Sequence, residues 1–330
     1  MSPDFLYKIS FFVLFFFVSS FFVVGAYNEE RFIFRIDRGD SLTDISARLK
    51  EVGLIRSTGL FKLYTFIVGA AHRFQPGIYQ LERNEGLFKI IRILVVGPQP
   101  IDIVIPEGAT LRDIDFKLNE MGIMKEGELV EFLASSEMDA LKKEFWFIGD
   151  KKTLEGFLFP DTYRFMPGTD PSIAIKTILS NFNKKVIPLL SKVKDWYSIV
   201  ILASLLEKEV SLNSDRMLVA GILQKRLALG MPLQVDATVT YIKCNGEYLS
   251  CENRQLTKSD FNIDSNHNTY MYKGLPPSPI SNPGIDTIKA ALNPKKSVYL
   301  FYLSNPKNQR TIYSRTFDEH KNNKFKYLNI

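Results

Sequence analysis

The chain has 330 residues, of which 45% are hydrophobic and 24% are charged, a composition that excludes a disordered chain and suffices for two or three folded domains. The formal net charge of +6 suits either an acidic partner or a solvated, lysine-rich surface. Because Lys and Arg form no dense run, we do not expect nucleic acid as a partner.

A long apolar segment near the first residue predicts a membrane anchor. It runs from Ile9 to Ala26, ISFFVLFFFVSSFFVVGA, without a charged residue, and a helix of this length can cross a bilayer. A cleaved signal peptide is the alternative, although its apolar core is usually shorter. We therefore expect a cytoplasmic tail at residues 1–8, a transmembrane helix at residues 9–27, and the bulk of the chain outside the cytoplasm.

The next part of the chain contains an internal repeat. GDSLTDISARLKEVGLI, Gly39 to Ile55, aligns with GATLRDIDFKLNEMGIM, Gly108 to Met124. Each copy follows an alternating run typical of a strand, begins a helix with a capping-box pattern, and ends that helix before a glycine. The repeat therefore predicts two strand–helix subdomains, at residues 28–100 and 101–152. The predicted strands are Phe32 to Asp37 and Ile101 to Ile105, and the predicted caps are Ser41 with Asp44 and Thr110 with Asp113.

The first subdomain resembles the LysM-like module, a strand–helix–helix–strand fold that often contacts peptidoglycan glycan. The resemblance covers Phe32 to Val96 and includes a later strand at Gly77 to Leu81. Two functions stay open for this subdomain: it binds glycan, or it is a spacer that holds the rest of the protein away from the bilayer.

The cysteines, the histidines and the known short motifs give no support for a metal or cofactor site. Cys244 and Cys251 flank an Asn-Gly turn signal and could close a loop as a disulfide outside the cytoplasm, or stay two thiols inside it. The three histidines are far apart and have no ligand spacing with the cysteines, so we predict no metal. The sequence has no nucleophile elbow, phosphate-binding loop or dinucleotide fingerprint, and we expect no cofactor.

The helix predicted at Tyr197 to Val210, YSIVILASLLEKEV, ends in two carboxylates. Its apolar residues cover nearly all sides, which predicts a buried helix. Burial raises the pKa of a carboxyl group toward the range that a general acid needs. Glu207 and Glu209 lie about 200° apart around the helix, so we expect at most one of them to be the buried acid. A solvated helix end is the other interpretation of the same residues.

The rest of the chain carries five distinctive stretches in order: EGFLFPDTYRF, LASLLEKEV, VAGILQKRLALGMPLQVDATVTY, NTYMYKGLPPSPISNPG and TIYSRTFDEHKNN. They span Glu155 to Asn323, and together they resemble the endolytic murein transglycosylases of the YceG-like family. The resemblance implies an α+β catalytic domain at residues 153–330, which follows the transmembrane helix and the LysM-like subdomain.

The family resemblance also implies the reaction and its residues. It implies a lytic cut between N-acetylmuramic acid and N-acetylglucosamine that leaves a 1,6-anhydromuramyl end and terminates strand elongation, with Glu209 catalytic and Glu207 supporting. Peptidoglycan glycan strands are the implied substrate, penicillin-binding peptidoglycan synthases are the implied partners, and the bacterial inner (cytoplasmic) membrane is the implied location. The expected substrate-binding residues, each of which could instead brace a loop, are Gln234, Asp236, Asn268, Thr269 and Tyr270.

Three positions depart from the family's pattern. Val210 stands where a hydroxyl residue commonly follows the catalytic glutamate, Ala237 where proline commonly follows the aspartate, and His267 where tyrosine usually precedes Asn-Thr-Tyr. The first departure favours an alternative function, a catalytically inactive peptidoglycan-binding scaffold of the cell-wall synthesis machinery. A true hydrolase is a third possibility, which a reducing product end would distinguish.

Overall fold

The computed structural model describes residues 31–83, 85–210, 212–305 and 310–328. The predicted tail and anchor, residues 1–27, lie outside this part of the chain. Among the described residues, no helix combines the length and the apolar composition needed to cross a membrane. The contacts divide the chain into two compact units, Met1–Pro98 and Gln99–Ile330.

In the first unit, two strands and three helices of the described chain share one core. In chain order they are β1 (Arg31–Ile36), α1 (Leu42–Glu51), α2 (Thr58–Ile67), β2 (Gly77–Glu82) and α3 (Leu87–Val96). The two strands pair antiparallel. The assignment of this unit as LysM-like stays a prediction. Its core is built from one face of each element, with Phe34, Ile36, Ile45, Leu49, Phe61, Tyr79, Leu81, Ile90 and Leu94.

The predicted helix caps of the internal repeat are present. Ser41 caps α1 and Thr110 caps α4 (Leu111–Glu120), each in a reciprocal hydrogen-bonding pattern with the aspartate three residues later. Gly53 and Gly122 follow these helices with φ of 74° and 66°, the left-handed conformation that glycine adopts most easily. The predicted helix ends are therefore confirmed.

In the second unit, the described chain forms two small sheets, ten α-helices and a short 3-10 helix (Asp260–Asn262). In chain order the elements are β3 (Ile101–Val104), α4 (Leu111–Glu120), α5 (Glu128–Ala134), α6 (Glu137–Glu144), β4 (Thr162–Phe165), α7 (Pro171–Lys185), α8 (Ile187–Leu190), α9 (Trp196–Glu209), α10 (Asn213–Ala228), α11 (Asp236–Lys243), α12 (Ile285–Leu292), β5 (Phe301–Ser304), β6 (Thr311–Ser314) and α13 (Phe317–Leu328). β3 pairs with β4, and β5 pairs with β6, both antiparallel. This mixture of helices and small sheets confirms the α+β class, whereas the predicted domain boundaries stay predictions.

Helix α9 runs through the core of the second unit. Every residue from Val200 to Leu206 is buried, as the apolar sequence predicted. The loop before α12 is fastened to this helix, since Ile280 N donates to Ser204 Oγ at 3.1 Å and Ser281 Oγ donates to the Ser204 carbonyl at 3.1 Å. Helix α9 is therefore fixed in the core of the unit, which favours precise placement of the side chains at its end.

Candidate active site

Glu207, in the last turn of α9, accepts hydrogen bonds on both carboxylate oxygens from other parts of the unit. Its side chain is 4% exposed, and Arg216 Nη2 donates to Oε1 at 2.7 Å. The other oxygen accepts from Gly284 N at 2.9 Å and from Thr287 Oγ1 at 2.6 Å. Because Gly284 is the N-cap of α12, the charge also lies where the helix dipole favours an anion. Glu207 thus ties α9 to α10 and α12, and its supporting role in the reaction stays a prediction.

Glu209 faces different surroundings from Glu207, as their spacing predicted. Its Oε1 accepts from Ala237 N and its Oε2 accepts from Tyr302 OH, both at 3.3 Å. Burial, and in second place the negative charge of Asp236, raises the pKa of Glu209 to about 7. The two donors oppose this shift because they stabilise the carboxylate. A carboxyl group with a pKa near neutrality can both donate a proton and take one back.

The two donors to Glu209 carry no motif in the sequence. Ala237 donates through its main chain in the first turn of α11, where no side chain signals the contact. Tyr302 lies on β5, 93 residues beyond Glu209, and its placement depends on how β5 packs against the end of α9. Burial, together with the charge of Glu209, raises the pKa of Tyr302 well above its ordinary value. Tyr302 is therefore a neutral phenol that donates a hydrogen bond.

Asp236 and Tyr270 form a pair close to Glu209. The Tyr270 hydroxyl donates to Asp236 Oδ1, and the Tyr270 ring stands edge-on to Phe261 with 4.6 Å between centroids. The negative charges of both Asp236 and Glu209 act on the hydroxyl of Tyr270 and help to raise its pKa, after burial. The structure therefore brings together three of the residues singled out in the sequence.

Asn268 and Thr269 are buried and hydrogen-bonded within the protein. Asn268 Nδ2 donates to two main-chain carbonyl groups at 3.0 and 2.9 Å, and its Oδ1 accepts from Tyr270 N at 3.0 Å. Thr269 Oγ1 accepts from Val235 N at 2.9 Å. Both side chains brace the loop that carries Tyr270, and direct contact with a substrate stays a prediction for both.

Gln234 is exposed on a turn with unusual backbone geometry. Its φ is 51°, a value uncommon outside glycine that occurs often at functional sites. The buried Arg226 supports this turn, since its Nη1 donates to the Leu233 carbonyl and its Nε to the Leu300 carbonyl, both at 2.7 Å. Arg226 thereby joins the turn with Gln234 to the segment that leads into Tyr302.

Glu155 is a fully buried carboxyl group outside this cluster, in the interior of the unit. Leu111 N donates to it at 3.1 Å and Asn282 Nδ2 at 2.9 Å, and burial raises its pKa to about 8. Asn282 Oδ1 in turn accepts from the main-chain nitrogens of Gly156 and Leu158 at 2.8 and 2.9 Å. The stretch that marks the start of the predicted catalytic domain therefore joins three distant segments.

The departures from the family's pattern have clear positions. Val210 is buried, and its carbonyl accepts from Arg216 Nε at 3.2 Å. The bond from Ala237 to Glu209 requires a main-chain N–H, which proline lacks. His267 Nε2 lies 2.8 Å from Ser278 Oγ. The two cysteines, open in the sequence, form a disulfide between Cys244 and Cys251 with 5.6 Å between their Cα atoms.

A sequence profile of the YceG-like family matches residues 34–326. The chain belongs to the YceG-like family. This YceG-like chain is 34% identical over 309 residues to the endolytic murein transglycosylase of Bacillus subtilis (strain 168), a match that covers 89% of the chain and 84% of that protein. It is 26% identical over 325 residues to the endolytic murein transglycosylase of Streptococcus pneumoniae serotype 2 (strain D39 / NCTC 7466), with 89% of the chain and 58% of that protein covered.

A crystal structure from the same family supports the fold of the YceG-like chain. A YceG-like protein from Listeria monocytogenes is 30% identical and superposes with a TM-score of 0.61, covering 89% of this chain and 99% of that one. The likeness therefore extends over both compact units.

Proposed function

We propose that this chain is a membrane-anchored endolytic murein transglycosylase that cuts glycan strands between N-acetylmuramic acid and N-acetylglucosamine and leaves 1,6-anhydromuramyl ends. The observation that carries the proposal is Glu209, a carboxyl group at the end of a buried helix, with two donors on its oxygens and a pKa raised to about 7. The family and its named relatives support the class of reaction.

A single carboxyl group can perform both proton transfers of this reaction. Glu209 first donates its proton to the glycosidic oxygen, and the bond from this oxygen to the anomeric carbon of the muramyl residue breaks. The 6-hydroxyl of the same sugar then attacks the anomeric carbon, and its proton passes to the Glu209 carboxylate. The enzyme ends in its starting protonation state, and no water is consumed.

The donors to Glu209 fit this cycle. Tyr302 and the main chain of Ala237 fix the orientation of the carboxyl group and stabilise the carboxylate that forms when the proton leaves. Tyr270 offers an aromatic ring beside the same position, and sugar rings pack well on such surfaces. Gln234 supplies an exposed amide on the neighbouring turn.

Asp236 is the residue through which a hydrolase would act instead. Glycoside hydrolases use two carboxylates, and the charge of Asp236 is the one that reaches Glu209. Glu207 does not suit that role because Arg216, Gly284 and Thr287 occupy its oxygens. The identity of the product end therefore separates the two reactions.

We further propose that residues 9–27 anchor the chain in the bacterial inner membrane, with the catalytic unit outside the cytoplasm. The disulfide between Cys244 and Cys251 supports this location, because disulfides persist in oxidising compartments. Nascent glycan strands and the penicillin-binding synthases that extend them are then within reach as substrate and partners.

The test is the mass of the strand ends after incubation of the full chain with uncrosslinked glycan strands. Wild type and the control variant Glu126→Gln, which changes an exposed glutamate, are expected to release anhydromuramyl ends, and Glu209→Gln is expected to release none. Activity that survives in Glu209→Gln would remove Glu209 from the mechanism. No product from the wild type would favour the inactive scaffold.

Glycan binding by the first unit is a second candidate function, favoured by a pocket of about 390 Å³. The loop between β1 and α1 and the segment before β2 line it, with Asp37, Asp40, Ser41, His72 and Phe74 among the residues. Carboxylates beside an aromatic ring suit sugar hydroxyls and a sugar face. The test uses Glu209→Gln, which is expected to leave insoluble peptidoglycan uncut, and compares how much of it sediments with peptidoglycan with and without the additional change Phe74→Ala. Weaker sedimentation of the double variant would support glycan binding here, and equal sedimentation would favour the spacer.

A further inference from the structure

One side of α2 in the first unit is apolar and exposed. Phe66, Ile67 and Leu63 are 76%, 66% and 54% exposed. Phe61 and Thr65 on the other side of the helix are buried and hold it against the core. Contiguous exposed apolar surfaces of this kind usually mark an interaction site.

A neighbouring helix extends this surface. The Tyr64 ring of α2 meets the Phe88 ring of α3 edge-on, with 4.8 Å between centroids, and Phe88 is itself exposed. Two aromatic rings therefore border the aliphatic residues. We call the following six side chains the α2 apolar face: Leu60, Leu63, Tyr64, Phe66, Ile67 and Phe88.

The α2 apolar face belongs to the unit that directly follows the uncharged segment. Ala26 ends that segment and Arg31 begins β1, five residues later. At full extension such a link spans at most about 18 Å. If the segment spans the bilayer, this short tether gives the face a high effective concentration at the membrane surface.

The charge of the unit fits the same partner. Residues 31–98 contain 11 Lys and Arg and 6 Asp and Glu, a formal net charge of +5 out of +6 for the whole chain. Basic residues near a membrane are attracted to anionic lipid headgroups. The unit thus combines an exposed apolar helix face with a net positive charge, and both features favour binding at an anionic membrane interface.

We propose that the α2 apolar face docks on the outer surface of the bilayer that holds the anchor. Its leucine, isoleucine and phenylalanine side chains enter the boundary between headgroups and acyl chains, and Tyr64 lies at headgroup level, where amphipathic aromatic rings are favoured. The proposal rests on the proposed anchor, but it concerns different residues. Its consequence is that the first unit is fixed at the membrane rather than extended from it as a spacer.

Site-directed spin labelling of the full chain tests the docking. The native cysteines are paired, so a nitroxide attaches to a cysteine introduced by Leu63→Cys or Ile67→Cys. Lys50→Cys on α1, exposed and outside the α2 apolar face, is the matched control. Each protein is reconstituted in vesicles of phosphatidylethanolamine and phosphatidylglycerol, and collisions with oxygen and with a water-soluble nickel complex are measured.

Labels at residues 63 and 67 are expected to collide with oxygen and to lose collisions with the nickel complex, whereas the label at residue 50 keeps them. Replacing phosphatidylglycerol by phosphatidylcholine is expected to restore part of the nickel collisions at residues 63 and 67. Free access of the nickel complex to both labels in the anionic vesicles would overturn the proposal. Exclusion of both reagents would also overturn it, because a second copy or another protein would then cover the face.

The proposed anchor is tested separately by washing the same vesicles with alkaline carbonate. Release of the chain by carbonate would refute the anchor, and the labels would still report, before the wash, whether the face enters the lipid. Thermal denaturation that matches the wild type shows that each labelled protein is folded. Failure of the docking and failure of the anchor are therefore distinguishable.

Discussion

Replacing Glu209 by glutamine is expected to stabilise the second unit above neutral pH. Burial raises the pKa of Glu209 from 4.5 to about 7, so the folded state resists its ionisation. The stability linked to this carboxyl group is fully present below pH 4.5 and is lost as the pH rises through about 7. In Glu209→Gln the amide oxygen can accept from Ala237 N and the amide nitrogen can donate to Tyr302, so the hydrogen bonds survive.

The size of the gain follows from the pKa shift. One pKa unit corresponds to about 1.4 kcal/mol, so the shift from 4.5 to about 7 amounts to at most about 3.5 kcal/mol at full ionisation. Glu209 is partly exposed and solvent screens the charge of Asp236, which lowers the expected gain to about 1–3 kcal/mol. For a unit of this size that is an increase of about 2–10 °C in Tm.

Calorimetry of both proteins across the pH range measures the difference. Glu209→Gln and wild type are expected to unfold at the same Tm near pH 4, and the variant is expected to unfold at a higher Tm at pH 8. Glu126→Gln, the exposed control, is expected to match the wild type throughout. An equal Tm at pH 8, or a lower Tm of the variant there, would refute the inference that folding raises the pKa of Glu209.

Four further predictions concern Glu209, its two hydrogen-bond donors and the interior of the unit. In the wild type, kcat/KM is expected to fall as the pH rises through about 7, because Glu209 must be protonated to donate; an alkaline limb that is absent from the pH–rate profile would contradict this. Tyr302→Phe removes a hydrogen bond worth about 1.5–3 kcal/mol to a charged group, so kcat/KM is expected to fall about ten- to hundredfold and the alkaline limb to move to higher pH. Ala237→Pro is expected to move the limb in the same direction, and a limb that moves to lower pH in either variant would show that these donors do not stabilise the carboxylate. Asn282→Ala leaves the buried groups that its side chain binds without hydrogen-bond partners, so it is expected to lower the free energy of unfolding by more than about 4 kcal/mol. The control Asn293→Ala, at the exposed end of α12, is expected to change this free energy by less than about 1 kcal/mol. Denaturant titration measures both.

The sequence predicts the local features of the fold well because they depend on near neighbours. The caps of α1 and α4 follow from residues three positions apart. The burial of α9 follows from apolar residues on all its sides, and helical geometry alone separates Glu207 from Glu209. The resemblance of the ordered motifs to those of the YceG-like family then singles out Glu209 as the expected catalytic residue.

The remaining parts of the site depend on contacts between distant segments. Tyr302 reaches Glu209 only because β5 packs at the end of α9. Ala237 donates through its main-chain N–H, and the identity of a side chain does not indicate such a contact. Asn268 shows what a motif alone leaves open: the fold buries its amide, which donates to main-chain carbonyl groups and shapes a loop, and its contact with a sugar stays a prediction. Periodicity and spacing carry no information on which of these outcomes a polar residue will have.

The claim that Glu209 acts alone, with the sugar's own hydroxyl as nucleophile, is tested most directly by digesting uncrosslinked glycan strands in water enriched in heavy oxygen. Mass spectrometry of the new strand ends then reports whether solvent oxygen enters the product. We predict anhydromuramyl ends that are lighter than reducing ends by one water molecule and carry no heavy oxygen. Reducing ends that contain heavy oxygen would contradict the lytic mechanism and would make Asp236 the second carboxylate of a hydrolase.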